Sequence, residues 1–130
     1  LYVVGYVIFT KALASFYAAN AGSATGVDRG GELLWAALVG NFAYAALVTY
    51  ALARRAGPWS IAEGTRVGAI VGLLIWCTAD FIFYGFSNIA NLTRTIVDPL
   101  VEIVHGGIGG AVIAAVVGRM PGGKSPGVSA

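Results

Sequence analysis

Charge is scarce in this chain. Only 11% of its residues are Asp, Glu, Lys or Arg, against about 25% in an ordinary soluble domain. Hydrophobic residues make up 58% of the 130. A domain this short leaves much of its surface outside, so it cannot hide that many apolar residues in a core of its own. A lipid bilayer removes the conflict and is the first partner the composition implies. The net charge of +2 comes without a basic cluster or an RNA-binding motif, and nothing points to nucleic acid as a partner. Cysteine occurs once, at Cys77. That excludes an intrachain disulfide and any CxxC metal or redox pair, and Cys77 reads as a small buried hydrophobe. Histidine also occurs once, which excludes a bis-histidine haem within one chain. No P-loop, zinc motif or nucleophile elbow is present. The expectation is a non-enzyme with no metal, haem or other cofactor.

What the chain does have is long apolar segments. About 20 largely apolar residues cross a bilayer as a helix, and four segments qualify: residues 1–19, 32–52, 65–87 and 98–118, together one transmembrane domain over 1–118. "NAGSATGVDRGG", "RRAGPWS" and "NIANLTR" separate them, with the Gly, Pro, Ser and Asn of loops. Residues 119–130 read as a disordered tail. There is no internal repeat. Leu1 is not an initiator, so residues are expected upstream. "ALA" at Ala12–Ala14 has the look of a signal-peptide cleavage site, but Lys11 interrupts the apolar region such a peptide needs. The segment is kept as a span.

Basic residues set the orientation. Arg54, Arg55 and Arg66 flank the loop between spans two and three, and Arg119 and Lys124 follow span four on the same side. Only Arg29 and Arg94 lie on the other. The expected fold is therefore an all-α, four-helix integral membrane bundle with both termini inside. The Arg, Ala and Gly usage points to a bacterial high-GC genome, hence to the bacterial cytoplasmic membrane. The sequon Asn91-Leu92-Thr93 sits too near the membrane for a glycosylating enzyme and is read as chance.

Charged groups deep in lipid are rare and usually functional. Counted at about 1.5 Å per residue, Lys11, Asn41, Asp80 and His105 each fall roughly 10–14 Å below the outer end of their spans. One polar residue from each of four helices thus shares a layer, with Glu102 one turn nearer the outside. These five form the candidate ligand or proton site. Asp98, Glu102, His105 and Gly109 share a stripe on span four by i, i+3, i+4 spacing, as do Trp76, Asp80, Tyr84 and Ser87 on span three. Small-xxx-small spacing marks Gly64, Gly68 and Gly72 on span three and Gly106 and Gly110 on span four as packing positions. Counting from the inner face pairs Gly72 with Gly110. Ala36, Gly40 and Ala43 offer a second close-packing face on span two.

Each polar residue also has a plainer role. Asp98-Pro99 reads as N-cap and first residue of span four. Glu102 could pair with Arg94 or gain from the helix dipole, and Lys11 could be the counter-ion of Asp80 or Glu102. Asn41 reads as interhelical glue, and the aromatics as packing or interface anchors. Glu102-Ile103-Val104-His105 spells Glu-x-x-His, but a di-iron bundle needs two copies and two more Glu.

"WCTADFIFYGFSNIANLT", a short polar loop and then "IVDPLVEIVHGGIGGAVIAAVVG" resemble the C-terminal half of small four-span bacterial membrane families of unknown function. The likeness covers about Val67 to Gly118. It implies a four-span helical membrane protein and no activity. Glu102 and the GGIGG run depart from the pattern.

Two functions fit these readings. In one, the polar layer binds or moves a proton or small solute. In the other, the same residues are internal ion pairs of a non-catalytic accessory or assembly subunit. Homo-oligomers or other membrane subunits are the expected partners. Insertion into lipid costs about 2.5–3.5 kcal/mol for a central Asp or Lys, so Asp80 and Lys11 are expected to join the Asp98, Glu102 and His105 stripe in one interior network.

Overall fold

The computed structural model of the protein describes residues 1–27, 34–54 and 59–119, without the side chains of Ala36 and Phe86. Among the described residues the protein is all helical, with no strand. Helix α1 (Tyr2–Tyr6) runs into a π-helical stretch, Val7–Ala12, and after a break at Leu13 the chain resumes as α2 (Ala14–Ala19). Then follow α3 (Leu34–Ala53), α4 (Ile61–Phe86) and α5 (Leu92–Val117). The expected disordered tail lies outside the described residues, apart from Arg119, as do Arg29, Arg55 and Lys124.

Helices α4 and α5 have 26 residues each, about 39 Å at 1.5 Å per residue. Among the described residues two helices, Ile61–Gly85 and Leu92–Val117, are long and apolar enough to cross a membrane. The apolar helical runs Tyr2–Ala12 and Ala37–Ala53 are shorter.

Both long helices begin earlier than the hydropathy boundaries. Ser60 caps α4, its hydroxyl accepting from the Glu63 N–H at 3.2 Å. Asn91 caps α5, its side-chain oxygen accepting from the Arg94 N–H at 2.9 Å. The expected cap at Asp98 is therefore overturned. Asp98 and Pro99 lie inside α5, almost two turns past its start. Asn91 wins because it is tied down twice, once through its side chain and once through its backbone. Its Nδ2 donates to Asn20 Oδ1 at 3.1 Å, and its N–H to the Asn20 carbonyl at 3.2 Å. Gly22 and Ala24 donate to the Ile89 and Asn88 carbonyls beside it, at 2.9 and 3.0 Å. The loop after α2 is thus stitched to the loop before α5.

The α4–α5 pair is the tightly packed unit. A Cβ on Gly68 would lie 2.0 Å from the Gly106 carbonyl oxygen, and one on Gly64 2.3 Å from that of Gly110. The two backbones therefore touch, which only glycine permits. The register differs from the sequence count. Gly72 meets the Glu102 carbonyl and the Tyr44 hydroxyl rather than Gly110, and Gly110 packs on Gly64 and Gly68. A count from the inner face assumes flush helix ends, and the ends are staggered.

The α5 surface is divided in an unusual sense. Its buried side holds Thr95, Asp98, Glu102, His105 and the glycines. Its exposed side holds Leu92, Ile96, Leu100, Ile103, Val104, Ile108, Val112 and Val116. A water-soluble fold puts apolar side chains in and charges out, and α5 does the reverse.

Candidate functional site

The polar side of α5 faces a partly open cavity of about 810 Å³. Its walls come from α1 and the π-helical stretch, α2, α3, α4 and α5. Three charged side chains of α5 reach it together with the histidine: Arg94, Asp98, Glu102 and His105, spaced four, four and three apart so that all lie on one face.

His105 and Glu102 form its centre. Glu102 is 1% exposed and His105 6%, and His105 Nδ1 lies 2.9 Å from Glu102 Oε2. The other ring nitrogen, Nε2, lies 3.1 Å from the Leu1 carbonyl oxygen. A carbonyl only accepts, so Nε2 carries a proton. One further proton then lies between Nδ1 and Oε2, as an imidazolium–carboxylate or an imidazole–carboxylic acid pair. Gly5 lets α1 come this close, since a Cβ there would sit 3.2 Å from the imidazole. Phe9 and Tyr44 close the ring edge-on, with centroids 5.9 and 6.1 Å away. The second carboxyl oxygen, Glu102 Oε1, is buried without a hydrogen bond among the described residues. So is the Tyr44 hydroxyl, although it lies near enough to the carboxyl to interact with it.

Asp98 sits one turn further out and accepts a hydrogen bond from the Tyr17 hydroxyl. Arg94 does not pair with Glu102. Its guanidinium lies over the Tyr17 ring, 4.9 Å from the centroid. A second cavity of about 210 Å³ opens behind Trp76 and is lined by Asp80, Tyr84, Arg94 and Asp98. Asp80 Oδ2 is buried there without a hydrogen bond among the described residues. Trp76, Arg94 and Asp98 line both cavities.

The structure brings Glu102 and His105 together in direct contact and places Asp80 on the wall of the smaller cavity that Asp98 also lines. Asn41 lines the large cavity, but its amide donates to the Ala37 carbonyl of its own helix at 2.9 Å. Lys11 stands apart. It is exposed, with its ammonium 5.4 Å from the Tyr6 ring centroid, and among the described residues no ion pair joins it to Asp80 or Glu102. The reason is azimuth. The cavity face of the first segment carries Tyr2, Gly5, Tyr6, Phe9, Thr10 and Tyr17, and Lys11 is not on it. Gly40 and Ala43 line the cavity. The double variant Asp80→Asn with Lys11→Met is accordingly expected to lose stability additively, within about 0.5 kcal/mol, in thermal denaturation in detergent. A larger coupling would contradict this placement of Lys11.

Tyr17, Tyr44 and Gly5 were not among the sequence candidates. Tyr17 had one usable signal, its place at the outer end of the first span, level with Asp98. Tyr44 lies three residues beyond Asn41, and Gly5 is a lone glycine in an apolar run; neither spacing points to His105.

No family model matches the chain, and neither does any curated protein or solved structure.

Proposed function

We propose that this is a four-span integral membrane protein, with both termini on the cytoplasmic side of a bacterial inner membrane, whose interior polar site binds or moves a proton or a small solute. The observation that carries the reading is the Glu102–His105 contact, one proton between two buried groups at the wall of an 810 Å³ cavity. A purely structural ion pair needs no such space beside it. The inverted surface of α5 supports lipid as the surroundings, because charges turned inward and aliphatic side chains turned outward suit a bilayer. The loosely packed side, between the first helical segment and α3, is where a second copy or another membrane subunit would be accommodated.

The alternative reading, an accessory subunit, needs the same cavity to be dry. The test places a cysteine at Ala43, on the cavity wall, or at Leu74, which is 60% exposed on α4, in a Cys77→Ser background. Membranes are then treated with a water-soluble thiol reagent. The cavity position is expected to react at least about tenfold faster, because only hydrated thiols ionise and attack. Equal, slow labelling at both would favour the accessory role. A reporter fused after Ala130 is expected on the cytoplasmic side; a periplasmic signal would overturn the topology.

A further inference from the structure

Resting on that reading, we propose that the large cavity is a binding site for an organic monocation with aromatic or aliphatic substituents, taken up in exchange for the proton held between Glu102 and His105.

Three features select the ligand. The first is an unanswered acceptor. Glu102 Oε1 is buried in a side chain only 1% exposed, has no hydrogen-bond partner among the described residues, and belongs to a residue of the cavity wall. The second is the wall itself. Tyr2, Tyr6, Phe9, Tyr17, Tyr44 and Trp76 line it, and aromatic faces attract cations while accommodating apolar substituents. The third is size. A space of about 810 Å³ falls within the range that holds drug-sized molecules. It is too large for a bare metal ion, and among the described residues no three His, Cys, Asp or Glu side chains converge as metal ligands. An anion would meet Glu102 and Asp98, and the one arginine on the wall is already engaged with Tyr17 and lies near the Asp98 and Asp80 carboxyls.

The charges balance. With a proton between them, Glu102 and His105 are neutral as a pair. Binding of a monocation displaces that proton to water and leaves the carboxylate facing the cation, so the site's net charge is unchanged. The groups around Glu102 are His105, Asp98 and Arg94 on α5, Asp80 on α4, Tyr44 on α3, and Tyr17, Tyr2 and Tyr6 on the first segment. Of these, only His105 touches the Glu102 carboxylate through a titrating nitrogen. Lys11 is turned away.

The test is isothermal titration of the full chain in detergent with tetraphenylphosphonium and with tetraphenylborate, an anion of matching shape, after subtraction of binding to empty micelles. The phosphonium is expected to bind with release of about one proton, read from the dependence of the heat on buffer ionisation enthalpy, and the borate is expected not to bind. Glu102→Gln is expected to weaken phosphonium binding about thirtyfold or more, as loss of a buried charge partner does. Equal binding of the two ions, binding without proton release, or unchanged affinity in Glu102→Gln overturns the proposal. The first two readouts use the unaltered protein and stand even if the variant does not fold. If the cavity cysteine labels rapidly but the phosphonium does not bind, the cation assignment fails while the hydrated polar site remains.

Discussion

Gly68→Val is expected to destabilise the protein by about 3 kcal/mol or more, the upper end of overpacking costs. A Cβ at this position would lie 2.0 Å from the Gly106 carbonyl oxygen, 2.9 Å from its carbon and 3.0 Å from Gly110 Cα. All three are backbone atoms, so no side chain can rotate away and the helices must part. The same contact sets the register that puts the Tyr44 hydroxyl and the Glu102 carbonyl beside Gly72. Prying it open therefore displaces the acid–histidine stripe as well as lowering the melting temperature. Gly40→Ala is the control, since a Cβ there meets nothing within 4 Å among the described residues, and it is expected to be neutral or stabilising by up to about 1 kcal/mol. Thermal denaturation in detergent compares the two. If Gly68→Val melts with Gly40→Ala, the backbone contact between α4 and α5 is absent.

The second large effect is expected at Glu102 and His105. Replacing either alone by Leu leaves its partner buried, and breaking a buried pair in this way costs about 3–5 kcal/mol. The double variant removes both polar groups, so neither is left buried without the other. Its cost is expected to fall short of the sum of the singles by about 2 kcal/mol or more, within the range for residues in contact. Additive costs would mean that the two side chains do not share a hydrogen bond. The contrast with Asp80 and Lys11, expected to be additive, makes the two cycles informative together.

Much of this arrangement is legible in the sequence. The spacing of Asp98, Glu102 and His105 put them on one face because helical periodicity is a local property. The Gly64, Gly68 and Gly72 ladder announced close packing for the same reason. What stayed hidden depends on the other helices. Asp98-Pro99 has the form of a helix start, yet the start is at Asn91, because Asn20 from a distant loop holds Asn91 in place. Depth alone grouped Lys11 with Asp80. Depth fixes a level in the bundle but leaves azimuth free, and the chain turns Lys11 away. The π-helical stretch and the break at Leu13 contain neither Gly nor Pro, so no local signal marks them. By sequence Tyr17 and Tyr44 read as packing aromatics; their hydroxyls acquire meaning only once the fold sets them against Asp98 and Glu102.

The account turns on one imidazole holding a proton against one carboxyl group, and the chain contains a single histidine. Nitrogen-15 NMR of histidine-labelled protein in lipid bilayers reads that group without interference. The expected spectrum has a protonated Nε2 and an Nδ1 shifted by a strong hydrogen bond to a carboxyl group. In Glu102→Gln the Nδ1 signal is expected to move to that of a neutral nitrogen accepting a weaker bond, with Nε2 still protonated. An imidazole spectrum that is the same in Glu102→Gln as in the unaltered protein, and that exchanges freely with water in both, would contradict the site at its centre.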